Sequence, residues 1–185
     1  MDTQTTPSTA ATTWNIDPVH SAVEFKVRHM MISHVKGHFT KISGVMTLDE
    51  ADIAKSQVDV SIDAASIDTR DDQRDAHLKS ADFFDVEKFP ALTFKSTRVT
   101  RVGDGELSVA GDLTAHGVTR PVVLAVEGPT PPAKDPWGFV RVGLSATTKI
   151  NRKDFGLTWN TALEHGGILV GDEVGINLDV QFVKA

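Results

Sequence analysis

The chain has 185 residues, 40% hydrophobic and 24% charged, with a formal net charge of −6. That is enough for one domain with its own core, and it excludes disordered, collagen-like and disulfide-scaffold chains. Cysteine is absent, which excludes disulfides, zinc–thiolate sites and a cysteine nucleophile. Acidic residues outnumber basic ones, 25 to 19, so no nucleic-acid partner is expected. No run of about 18 apolar residues is present, so no integral membrane segment is expected either.

Residues 1–13 read MDTQTTPSTAATT. They carry neither the basic start nor the apolar stretch of a secretory signal, and are expected to form a disordered tail on a cytoplasmic protein. From residue 14 onward strict alternation dominates, the period of half-buried strands. Val23, Phe25 and Val27 alternate with Glu24, Lys26 and Arg28; Val58, Val60 and Ile62 alternate with Asp59, Ser61 and Asp63. The same pattern runs through Leu107–Thr114 and again through Val174–Phe182. Between these runs, Thr69 is a plausible N-cap for a helix over about Arg70–Ser80, with a further turn across Asp82–Glu87 before Pro90.

Gly103-Asp104-Gly105 predicts a hairpin between Thr93–Val102 and Glu106–Ala115, and His116-Gly117 a tighter one leading into Val118–Glu127. Gly128–Pro132 predicts a longer loop before a strand over Trp137–Ile150. Pro121 cannot donate a ladder bond and belongs at a strand start, an edge or a bulge. About eight or nine long strands joined by hairpins, with one helical segment, predict an all-β antiparallel barrel. Closure removes the edges that an open sheet of that size would expose.

Several motifs, in order, resemble the YceI-like family of polyisoprenoid-binding, lipocalin-like barrels. They are Trp14-Asn15-Ile16-Asp17-Pro18-Val19-His20-Ser21, Ser66-Ile67-Asp68-Thr69, Arg74-Asp75-Ala76-His77-Leu78, Phe83-Phe84-Asp85-Val86 and Asn151-Arg152-Lys153-Asp154-Phe155-Gly156. Phe89-Pro90, Phe94-Lys95-Ser96, Leu113-Thr114 and Gly117-Val118-Thr119 extend the match across about residues 14–183. The resemblance implies an extended eight-stranded barrel over 14–185, with its helical insertion near 70–87 and an apolar pore holding a long isoprenoid or similar lipid. It implies no catalytic constellation.

Strands of about ten residues, tilted about 40°, give a barrel roughly 25 Å tall, room for several prenyl units. Each buried CH₂ contributes about 0.8 kcal/mol, so chain-length selection is expected to come from where the pore ends. The expected pore residues are Val23, Phe25, Val27, Phe39, Val58, Val60, Phe94, Leu113 and Leu144. Periodicity alone favours a filled core, and it is the resemblance that favours a pore instead.

His29, closing an apolar face, and Arg152 are the expected head-group contacts. Arg74 and Asp75 suit a strand-to-helix clamp better than chemistry, and for Arg152 and Asp154 a hydrogen-bonded turn competes with a phosphate site. His34 and His38 lie too far apart on a strand for paired metal ligation, and no metal site is expected. The function expected is non-enzymatic binding, transport or storage of a polyprenyl quinone or prenyl phosphate, requiring no cofactor besides the lipid. Two alternatives remain at this level: a fatty acid or fatty amide binder, and an enzyme acting on a hydrophobic substrate through His29, Arg74 and His77. A homodimer is left open.

Overall fold

A computed structural model describes residues 10–185. Its elements are β1 (Thr12–Ile16), β2 (Ala22–His29), β3 (Ser33–Phe39), β4 (Ile42–Leu48), β5 (Gln57–Asp63), β6 (Ile67–Asp68), α1 (Asp72–Lys79), β7 (Ala91–Gly103), β8 (Glu106–Ala115), β9 (Val118–Glu127), β10 (Ala133–Lys134), β11 (Val140–Asn151) and β12 (Val170–Lys184).

Three pairs of these are long strands interrupted by a bend. β1 and β2 both lie antiparallel to β12, with Trp14 opposite Lys184 and Val23 opposite Leu178. β4 and β3 lie along β1 and β2 in turn, and β5 and β6 lie along β4 and β3. Two of the bends are local polar turns: the carboxylates of Asp17 and Asp63 accept from the backbone N–H of Val19 and Ala65, at 2.9 and 3.0 Å, which turns the chain without a partner strand. With each interrupted pair taken as one, and the two-residue β10 set aside as an addition to β11, eight antiparallel strands follow in chain order and close where β12 meets β1 and β2. The barrel has a weak seam: β9 and β11 pair only over Ala125–Glu127 and Ser145–Thr147. Pro121 sits on β9 beyond that short ladder, where its missing N–H interrupts nothing.

At one end, the cap, lie the β2–β3 turn, α1 and the turns after it, the His116–Gly117 turn and the loop 152–169. At the other end, the base, lie the start of β1, the 49–56 and 104–105 connections and the loop 128–139. His116 and Gly117 have φ of 52° and 71°, the left-handed pair that a two-residue hairpin needs.

The structure departs from the sequence expectations at four places. Strand β1 begins at Thr12, inside the segment expected to be a tail, because Thr12 and Thr13 pair with Leu48 and Thr47; residues 1–9 of that segment lie outside the described residues. The helix is capped by Asp71, whose side chain accepts from Arg74 N–H at 2.8 Å. Thr69 is instead buried, bonded through its N–H and hydroxyl to Asp75 at 2.9 and 2.6 Å. After Ser80 the chain forms separate hydrogen-bonded turns rather than more helix, with Asp85 at φ 48°. Finally, β11 starts at Val140: the Asp135 carboxylate accepts from the N–H groups of Trp137 and Phe139, both at 2.9 Å, and folds that stretch into a turn that leaves Trp137 exposed.

The buried side chains form two main clusters on opposite walls. One contains Trp14, Phe39, Met46, Val142 and Phe182; the other contains Phe94, Val99, Leu107, Val109 and Val126. Between them the barrel is not filled.

Candidate functional site

Inward-facing side chains from all eight strands enclose a cavity of about 370 Å³. That lies at the lower end of the roughly 300–1,000 Å³ of small-molecule sites. Ile53, Val58, Val60, Leu144 and Leu178 pack against both wall clusters and also line the cavity. They span the gap as a half-buried layer rather than an interlocked core. The lining continues to the base through Leu48, Ile53, Ser56 and Pro129, beside Trp14, Val142 and Phe182, which are fully buried.

All nine residues expected in the pore line this one cavity. Val23, Phe39 and Phe94 are buried against the wall, whereas Phe25, Val27, Val58, Val60, Leu113 and Leu144 keep part of their surface open to the lumen. Strand parity put them there: residues two apart share one face. Sequence reasoning missed several groups of lining residues, among them Val99, Leu107, Val109, Val122, Leu124 and Val126 on β7, β8 and β9. Val174, Ile176 and Leu178 of β12 carried the same alternating signal and were legible. Leu78 near the end of α1, Phe83 and Phe84 in the turns after it, and Trp159 in the 152–169 loop lie outside any alternating run and were not.

These last residues close the cap. Phe84 meets Phe39 edge-on at 6.0 Å, and His77 stacks edge-on against both Trp159 and Phe83, at 4.7 and 5.1 Å. The aromatic cluster therefore bridges the α1 segment and the 152–169 loop across the lumen. Rings meeting edge to face add about 0.5–1.5 kcal/mol per pair beyond area burial.

The polar candidates gather at the same end. His29, Arg74, His77 and Arg152 all touch the cavity, but three of them have committed partners. Arg74 donates from Nε and Nη2 to the hydroxyl and carbonyl of Thr69, at 2.7 and 2.8 Å, and with Asp75 it clamps the helix to the end of β6. His77 Nε2 lies 2.9 Å from Asp82.

Arg152 is 3% exposed, and its guanidinium donates to the carbonyls of Leu157, Gly171, Trp159 and Val170, at 2.6 to 3.3 Å. Burial lowers its pKa, opposed by the nearby Asp172 carboxylate. Four of its five N–H groups thus go to backbone carbonyls, and Nη2 also lies 3.7 Å from Asp172, the pattern of the hydrogen-bonded turn weighed against a phosphate site. These bonds hold the cap loop. His29 alone of the two expected head-group residues makes no hydrogen bond or ion pair through its ring among the described residues.

At the base a second polar cluster ties the chain ends together. Arg141 donates to Asp135 at 2.7 Å and to Asp17, which also bonds His20 at 2.9 Å. Hydrogen bonds from His20 and then Arg141 hold the Asp17 carboxyl far below the usual carboxylate range. The Arg141 bond likewise lowers Asp135, and Arg141 itself is raised by Asp135 and then Asp17. This cluster joins β11, the 128–139 loop and the β1–β2 bend.

A closed antiparallel barrel with an apolar lumen and a helical cap defines a class of ligand-enclosing β-barrel. The YceI-like domain family matches residues 14–182, and the chain belongs to that family. A UPF0312 protein of Vibrio cholerae is 45% identical over 138 residues, covering 75% of this chain and 72% of that one. Burkholderia cenocepacia BcnA has 25% identity and a TM-score of 0.76, covering 90% of this chain and 98% of its own. A domain from Saccharophagus degradans, described as polyisoprenoid binding, shares the fold at a TM-score of 0.67 and 15% identity, covering 93% of this chain and 98% of that one. No helix among the described residues is long and apolar enough to cross a membrane.

Proposed function

We propose that this protein carries or stores a long-chain isoprenoid lipid in its lumen and performs no chemistry on it. The observation that carries this reading is the unfilled apolar cavity of about 370 Å³, walled by all eight strands between two separate core clusters. Proteins rarely leave such space in a core, because each lost methylene contact costs stability. An apolar chain filling it contributes about 0.8 kcal/mol per buried CH₂. The description of the Saccharophagus domain as polyisoprenoid binding supports a prenyl chain as the occupant.

In this account the tail runs toward the base, where Ile53, Pro129 and Phe182 line the lumen, and the head group rests at the cap. His29, with its ring unengaged, is the residue that meets a quinone carbonyl or prenyl phosphate there. The catalytic alternative loses ground because Arg74 and His77 are held by Thr69 and Asp82.

The test is purification of the full chain without detergent, extraction with organic solvent and mass spectrometry of the extract. A stoichiometric prenyl lipid is the expected result, and its mass reports head group and chain length together. A fatty acid or fatty amide would replace the isoprenoid with the runner-up ligand. Protein that is empty and also refuses added geranylgeraniol would overturn the carrier reading.

A further inference from the structure

Among the described residues, only the β2–β3 hairpin places two successive non-glycine residues in left-handed backbone. Its turn places Met30 at φ 50° and Met31 at φ 61°, closed by Ile32 N–H donating to His29 carbonyl at 3.1 Å. Both central residues of such a turn require left-handed backbone, for which Asn and Gly are the usual choices. Two methionines there are strained, and strain of this kind tends to accompany function. The tip is also wet: Met31 is 56% exposed and Ile32 77%. It is held in place nonetheless, by Met30 N–H to Leu169 carbonyl at 2.8 Å and by Arg28 to Met31 carbonyl at 3.2 Å.

Behind the tip, the outer face of the hairpin is cationic. Lys26 stands directly opposite Lys36, and Arg28 opposite His34. Like charges facing across a ladder are unfavourable, and no acid lies within ion-pairing distance of Lys26, Arg28 or Lys36 among the described residues. The acids on the adjoining part of β12 are engaged elsewhere: Glu173 with Lys149, and Asp172 with Lys153 and Arg152. Three cations (Lys26, Arg28, Lys36) less one acid (Glu24) give β2 and β3 a formal +2 on a chain of −6.

An apolar prow backed by unpaired cations matches an anionic lipid surface in both chemistry and order: the tip enters the acyl boundary and the cations meet the phosphates. The inner face of the same hairpin is cavity wall, through Phe25, Val27, His29 and Val35. We infer that the β2–β3 hairpin docks this barrel onto an anionic membrane, with Met30, Met31 and Ile32 inserted and Lys26, Arg28 and Lys36 on the headgroups, bringing the cap end of the lumen to the source of its cargo. This rests on the carrier reading for its purpose, though not for its geometry.

The experiment is flotation of the full chain with phosphatidylcholine vesicles, with and without phosphatidylglycerol, beside loading of geranylgeraniol added from ethanol. The wild type floats with the anionic vesicles only, and added salt releases it. Met31→Ser with Ile32→Ser lowers partitioning about tenfold or more. Lys26→Gln and Lys36→Gln each lower it about fivefold. Geranylgeraniol loads equally into all variants, because none of these four side chains lines the cavity.

Absence of flotation, or flotation indifferent to all four substitutions, overturns the inference. So does a dimer that the tip substitutions dissociate in the absence of vesicle binding, which would assign the prow to a second copy. Variant-sensitive flotation without any loading upholds the docking surface and overturns the lipid-carrying lumen instead.

Discussion

The ring of Phe25 rests on Gly37 of the facing strand, in the space that a Cβ on Gly37 would need. The glycine lets an aromatic side chain lie against the wall instead of projecting into the lumen, and Phe94 uses Gly111 in the same way. Volume that the sequence assigns to bulky phenylalanines is thereby returned to the cavity. Phe25 also packs on Phe39 at 5.7 Å, so the wall stays continuous.

Gly37→Ala should therefore close the site from within. The new methyl displaces Phe25 and also meets Thr69 Cγ2 at 2.8 Å. Overpacking of this kind costs about 1–3 kcal/mol. Thermal unfolding and geranylgeraniol loading are both expected to fall, and a variant that melts lower yet loads normally would show that Phe25 has room to move without entering the lumen.

Leu144→Trp separates an open lumen from a filled core. Leu144 touches both wall clusters and is half-buried. In a filled core the larger ring would cost about 1–3 kcal/mol. With space in front of it, stability should stay within about 1 kcal/mol of wild type while lipid occupancy drops severalfold. Denaturant unfolding paired with extraction of bound lipid reads both.

Arg152→Met should loosen the cap. It leaves the carbonyls of Leu157, Trp159, Val170 and Gly171 without their shared donor. The expected loss is about 3 kcal/mol or more, since the unsatisfied carbonyls and Asp172 bear the cost together. Hydrogen exchange should rise across 152–169 more than across β7 or β8. Arg152→Lys should rescue little, because an ammonium cannot fork to four acceptors.

The Asp17 cluster makes a pH-dependent contribution. The folded-state pKa of Asp17 is depressed, so its stabilisation is complete above the ordinary carboxylate value of 3.8 and is lost as pH falls through the folded value. Asp17→Asn should lower stability by about 1 kcal/mol near neutrality, after allowance for solvent screening. The gap between the two proteins should hold at pH 5 and shrink below about pH 3. Melting curves across that range would sink the assignment if the gap were constant.

Much of the fold was legible because a barrel strand writes its two faces into alternate residues. Val23, Phe25 and Val27 declared a wall, as did Val58 and Val60, and the hairpin at His116–Gly117 declared its turn. The interruptions were harder. Asp17-Pro18 and Asp63 bend strands that periodicity alone treats as ending, so the expected eight-stranded barrel is built from twelve strand segments. Thr69 and Arg152 show one limit: a hydroxyl that can cap a helix here bonds the Asp75 and Arg74 side chains, a guanidinium that can bind a phosphate here donates to backbone carbonyls, and spacing does not say which.

By itself, then, the sequence determined an antiparallel barrel with apolar inner faces and one helical insertion, since these follow from local period, turn chemistry and motif order. Only the tertiary structure decided that the inner faces stand apart around about 370 Å³ instead of meeting. That depends on glycines such as Gly37 and Gly111 falling under the rings of phenylalanines on neighbouring strands, and on Trp159 and His77 meeting across a gap of 82 positions in the numbering. Cavity volume is a sum over non-local contacts, and no window of the chain contains it.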